Sequence, residues 1–177
     1  MKLLNIIDED IVNYKKTSLY IVMPSCSFKC NIDCGKDVCH NSKLGSESLA
    51  INFDGDKLIQ RYLSNPITHA IVFGGLEPFD SPFAILPFVS AVRGKYDCHD
   101  DIVIYTGYTE DELEGRSLFS YPNAVTQSAL VDIYKNLKTF DNIVIKFGRF
   151  VPNQEKHFDD VLGVYLSSDN QYAKKIS

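Results

Sequence analysis

Short unbroken apolar runs alternate with stretches whose apolar residues recur at helical spacing, and the alternation holds through most of the chain. Ser18 to Met23 is β-branched, aromatic and apolar and stops at Pro24, which predicts a buried strand. Leu58, Ile59, Tyr62 and Leu63 fall at helical spacing, with Asp54 and Asp56 as cap candidates upstream and Asn65 and Pro66 as a stop. His69 to Phe73 predicts a second strand, broken by Gly74 and Gly75. Asp80, Ser81 and Pro82 open a helix directed toward Arg93, which Pro87 is expected to kink or shorten. Asp101 to Tyr105 predicts a third strand, and Thr109 with Glu112 has the spacing of a capping box before a short helix. Ala129, Leu130, Ile133, Tyr134 and Leu137 form one helical stripe, and Asn142 to Lys146 predicts a fourth strand. The tail over 151–177 is less regular, with a short strand expected at 161–166.

Continuous apolar strands alternating with helices predict an α/β fold: a parallel sheet covered on its faces, joined by right-handed crossovers. A complete eight-stranded barrel needs about 250 residues. At 177 residues the chain is therefore expected to form one domain, 1–177, built as a partial (β/α) barrel or an open parallel sheet. Loops that follow the strands of such a sheet share one edge, where ligands bind. Four irregular segments occupy those loops: the cysteine-rich stretch 24–41, Gly74 to Pro78, Thr106 to Tyr108, and Phe147 to Phe150.

Composition narrows the function classes. Hydrophobic residues make up 45% and charged residues 23%, and no apolar run reaches membrane-spanning length. The formal net charge of -5, without a basic stripe, argues against a nucleic-acid partner. No targeting signal is visible, so the cytoplasm is the expected location.

Cys26, Cys30, Cys34 and Cys39 are four of the five cysteines, and thiolates this close in sequence can converge on one soft metal centre. A disulfide-stapled loop needs an oxidising compartment, and Asp8, Glu9 and Asp10 arrive before a signal-peptide core could form, so metal binding is the preferred reading. Three thiolates would leave one iron of a cluster open to a small molecule, whereas four would make an electron carrier or a structural centre. Spacing alone leaves open which three bind, or whether all four do. Cys98 is isolated, and His69, His99 and His157 lack metal-ligand spacing.

The cysteine loop, the Gly74-to-Pro78 segment, the run Ile104 to Leu113 around Tyr105, Thr106, Gly107 and Tyr108, the segment Lys146 to Phe150 and the ending Ser167 to Gln171 together resemble the radical S-adenosylmethionine enzymes. Within that superfamily they are most similar to the activating proteins of anaerobic ribonucleoside-triphosphate reductase. The family pattern is Cys-x3-Cys-x2-Cys. Cys26 and Cys30 match its first pair and Val38, Cys39, His40 and Asn41 its closing segment, so the resemblance implies Cys26, Cys30 and Cys39 as ligands of a 4Fe-4S cluster. Cys34 then lies in an insertion, although Cys26, Cys30 and Cys34 form a rival triad nearer the usual spacing. Gly74, Gly75 and Glu77 match a Gly-Gly-Glu-Pro motif that contacts the methionine part of S-adenosyl-L-methionine, with Leu76 inserted, and His40 is expected beside the cofactor. The usual Asp of the segment before Gly148 is absent. The resemblance implies an oxidoreductase that reductively cleaves S-adenosylmethionine and places a glycyl radical on anaerobic ribonucleotide reductase or another glycyl-radical enzyme, with flavodoxin or ferredoxin as electron donor. The alternative is a non-catalytic four-cysteine iron-sulfur or zinc module.

Overall fold

The computed structural model describes residues 1–45, 49–121 and 124–177. Its strands are β1 (Lys2–Leu3), β2 (Asn5–Asp10), β3 (Ser18–Met23), β4 (Ile51–Asn52), β5 (Ala70–Gly75), β6 (Asp101–Tyr105), β7 (Ile143–Phe147), β8 (His157–Asp159), β9 (Val164–Leu166) and β10 (Tyr172–Lys175). Its α-helices are α1 (Lys29–Cys34), α2 (Gly55–Leu63), α3 (Pro82–Ser90), α4 (Glu110–Leu113) and α5 (Gln127–Leu137). The class is mixed α/β, built on a six-stranded sheet in the order β10-β7-β6-β5-β3-β2.

The four strands predicted from apolar runs form the centre of that sheet and are parallel to one another. The expectation of a wholly parallel sheet is corrected at both edges, where β2 pairs antiparallel with β3 and β10 pairs antiparallel with β7. Neither edge strand carried a clear periodic signal. β2 reads Asn5, Ile6, Ile7, Asp8, Glu9, Asp10 and β10 reads Tyr172, Ala173, Lys174, Lys175, because an edge strand keeps charged side chains toward water. The expected strand at 161–166 shortens to β9, which forms a hairpin with β8. Pro87 does not end α3; the helix runs on to Ser90 and widens into a π-turn over Ala91–Lys95.

Register explains the two faces. Ile21 pairs with Phe73, Phe73 with Ile104 and Ile104 with Ile145, and this row packs against Tyr62 of α2, Phe88 and Val89 of α3 and Leu130, Ile133 and Tyr134 of α5 in one core. The neighbouring row, Val72, Val103 and Val144, points to the opposite face, where Tyr14, Leu162 and Leu166 cover it. Helices therefore lie on one face of the sheet, and the segment after β2 together with the β8-β9 hairpin lies on the other. Both local caps expected from sequence form: Asp54 accepts from the Asp56 and Lys57 amides, and Thr109 and Glu112 complete a capping box. Among the described residues no helix is long and apolar enough to cross a membrane.

Arg93, 8% exposed, fastens the end of the sheet where β6 and β7 begin. Its guanidinium donates to the Cys98, Asp100 and Asp141 carbonyls and lies 2.9 Å from the Asp141 carboxylate. Cys98 beside it is buried in the core, and His99 pairs with Asp141 and Asp97 at the surface. Arg93→Met should lower the unfolding free energy by about 2–4 kcal/mol, because the buried Cys98 carbonyl and the partly buried Asp100 and Asp141 carbonyls lose a charged donor. Urea denaturation followed by circular dichroism measures this, and a loss below about 1 kcal/mol would show that the carbonyls find other donors.

Candidate metal centre

The site begins with the register of the sheet. Two residues beyond the valine row, and so on the same face, Val22 pairs with Gly74 and Tyr105 with Lys146 at the C-terminal ends of the parallel strands. The loops that follow converge there on a cavity of about 340 Å³. Cys26, Cys30, Cys39 and His40 reach it from the β3 loop, Gly75 and Glu77 from the β5 loop, Thr106 and Gly107 from the β6 loop, and Arg149 and Phe150 from the β7 loop. The topology thus gathers the four segments that the sequence placed at one edge. Gly74 and Cys34 are not among the residues that line the cavity.

The cysteine loop folds through a short helix that periodicity did not predict. Phe28 precedes α1 at φ 51°, Gly35 ends it at φ 63°, and the helix holds Lys29, Cys30 and Cys34. Asn31 then brings the chain back: its Oδ1 accepts from the Val38 and Cys39 amides, both at 2.9 Å, and its Nδ2 donates to Asp37. Cys39 is returned to the cavity by this side chain. Asn31 is a functional residue that sequence reasoning missed; its signal was an Asn directly after Cys30 with a glycine four residues on. Asn41 closes the loop onto the sheet, donating to the Gly75 carbonyl at 2.6 Å.

Beneath the loop lies a buried ionic network. Lys29, 1% exposed, sits 3.4 Å from Glu77, 3.5 Å from Asp80 and 3.0 Å from the Ser27 hydroxyl, with its ammonium 3.7 Å from the Tyr108 ring centroid. Glu77, 3% exposed, also accepts from the Thr106 hydroxyl and the Gly107 and Phe79 amides. A ligand ammonium would share this carboxylate with donors of its own chain. Asp80 accepts from the Ser27 amide and the Tyr108 hydroxyl. Arg149 forms a second tie: it pairs with Glu112 on α4, and its Nε lies 2.9 Å from Asp33 on α1 in an ionic contact too poorly aligned for a hydrogen bond. The glycine pair has packing reasons of its own, since a Cβ on Gly74 would lie 2.6 Å from the Tyr20 hydroxyl and one on Gly75, at φ 83°, 2.5 Å from Val22. His40 stacks obliquely on Phe150 with ring centroids 4.3 Å apart.

Burial pushes Cys26 up to about 12, with Glu77 adding to the rise while Lys29 and the Phe28 amide oppose it. Burial also raises Cys39, and the Cys30 thiol beside it contributes. Among the described residues no three His, Cys, Asp or Glu side chains stand close enough to enclose a single metal ion. Three thiols around one cavity suit a larger group, because a cluster takes its thiolates at separate irons. The Phe28 amide, 3.2 Å from the Cys26 sulfur, supplies the kind of hydrogen bond that tunes such a group.

A cavity bounded by three thiols at the end of a mixed sheet is of a kind that can hold an iron-sulfur group. Residues 16–161 match the family described as the 4Fe-4S single cluster domain, and the chain belongs to that family. Comparison with curated proteins and with solved structures returned no match.

Cys39→Ser should therefore lose iron and sulfide as fully as Cys26→Ser after anaerobic reconstitution, while Cys34→Ser retains both. Asn31→Leu should fall between them, because the thiol is present but no longer held in place. Equal loss in Cys34→Ser and Cys39→Ser would instead mean four thiolate ligands. The Cys26 thiol is protonated below about 12, so metal uptake must release a proton and should weaken as pH falls from about 9 to about 7. Iron titrations at fixed pH, with proton release measured alongside, test the sign.

Proposed function

We propose that the chain is a radical S-adenosylmethionine enzyme that activates a glycyl-radical enzyme, with anaerobic ribonucleoside-triphosphate reductase as the favoured partner. The observation that carries this reading is the lining of the cavity by Cys26, Cys30 and Cys39 without Cys34. Three thiolates suffice to hold a 4Fe-4S group and leave one iron free for a ligand beside Gly75, Leu76, Thr106 and Gly107. Four parallel strands in the order in which they occur along the chain, with their helices on one face, support the same reading, since a partial barrel would be built from such units.

When bound, the group would supply the electron for reductive cleavage of a sulfonium ligand to methionine and a 5'-deoxyadenosyl radical. The chain's own residues position that ligand. Asn41 holds the Gly75 carbonyl at the cavity edge, Glu77 fixes the Thr106 and Gly107 backbone opposite, and the His40 and Phe150 rings close one side. Val12 and Tyr165 line the cavity yet are 70% and 71% exposed, so its mouth is apolar and open, as suits a protein segment entering from outside. The radical would take a hydrogen atom from a glycine Cα of that segment, forming 5'-deoxyadenosine and leaving the radical on the partner. This chemistry requires no general base. A flavodoxin or ferredoxin would supply the electron.

Anaerobically reconstituted protein, reduced and given S-adenosylmethionine, should release 5'-deoxyadenosine and methionine in equal amounts, and Cys39→Ser should release neither. Chromatographic quantification makes the measurement. A fully loaded protein that yields no 5'-deoxyadenosine, with or without a glycyl-radical partner, would overturn the proposal.

A further inference from the structure

Lys146 is a cavity cation with no ion-pair partner among the described residues. It stands beside Tyr105 in the register of the sheet, lines the cavity, and is 7% exposed. Its ammonium donates to the Gly148 carbonyl at 2.7 Å, and among the described residues no carboxylate lies within ion-pair distance of it. The other two cations that line the cavity are matched, Lys29 by Glu77 and Asp80, and Arg149 by Glu112 and Asp33. An ammonium has three donors, so two remain for whatever enters the cavity. Burial lowers this ammonium to about 8, and Glu77 and then the Cys30 thiol oppose the fall.

A buried cation without a carboxylate is expensive unless the site gains negative charge in its working state. Three thiolates bring that charge when iron binds. We propose that Lys146 is the counter-charge of the iron-sulfur site and raises its reduction potential. Reduction brings one electron from a low-potential one-electron donor and makes or breaks no bond in the protein, so the cavity gains one negative charge, which the ammonium stabilises. Charge near a cluster is one of the levers that set its potential. The inference stands on the iron-sulfur site and not on S-adenosylmethionine cleavage, so failure of the catalytic reading leaves it intact.

The test compares reconstituted wild type, Lys146→Met and Lys146→Arg by iron and sulfide content and by potentiometric titration followed by electron paramagnetic resonance. Lys146→Met should keep its iron and shift the midpoint to more negative potential by about 59 mV or more, a tenfold change in a one-electron equilibrium. Lys146→Arg should stay close to wild type. An unchanged midpoint in Lys146→Met at equal iron content overturns the proposal. Should Lys146→Met hold no iron, Lys146→Gln takes its place in the titration. If both neutral variants lose iron while Lys146→Arg keeps it, the need for charge supports the proposal, and loss in all three overturns it because shape is then what the site requires.

Discussion

The ion pair between Lys29 and Glu77 is the interaction on which the arrangement of the site depends. Lys29 opens the helix that carries Cys30 and Cys34, and Glu77 belongs to the loop after β5, its carboxylate also holding the start of the β6 loop. One buried contact thus joins three loops that are distant in sequence. Two carboxylates face one ammonium here, and the excess charge is tolerated because Thr106, Gly107, Phe79, Ser27 and Tyr108 all donate into it. Breaking such a buried pair costs about 3–5 kcal/mol, because the remaining charge has no solvent to turn to. The cysteine loop is consequently held by electrostatics below it, while its thiols face the cavity.

The legible parts of the fold were those in which burial dictates composition. β3, β5, β6 and β7 are enclosed on both faces, so each reads as an apolar run, and the alternation with helices places their C-terminal loops at one edge. The edge strands β2 and β10 were illegible for the converse reason, since water takes up one side and polar residues break the run. Within the site, the cysteines were visible as chemistry and the glycines as motif. Lys29, Asn31 and Lys146 were not, because each acts through a partner brought close only by folding: Glu77 for Lys29, the Cys39 amide for Asn31, and the cavity itself for Lys146.

The same folding divides the cations of the cavity into two kinds. Lys29 and Arg149 spend their charge on their own chain and fix the loops. Lys146 stands on a strand, where its backbone position is set by β6 on one side and β10 on the other, and its charge is left for the cavity. A strand holds a side chain more rigidly than a loop does, so a charge placed there has a defined distance to the site. The loops provide the thiols, and the sheet provides the charge.

The unusual spacing of the cysteines is compatible with a three-thiolate site on energetic grounds. Relative to the two-residue gap of the family that the loop resembles, eight residues separate Cys30 from Cys39. That is two doublings of loop length, or about 1.2 kcal/mol of additional closure entropy. The two hydrogen bonds from the Val38 and Cys39 amides to Asn31 are worth about 1 kcal/mol each and offset it. Helix formation over Lys29–Cys34 also removes freedom from half of the eight residues between Cys30 and Cys39 and carries Cys34 to a position off the cavity lining. An insertion that would otherwise let the third thiol wander is reduced to a short helix and one side-chain clasp, and the thiol that returns to the cavity is the one the clasp holds.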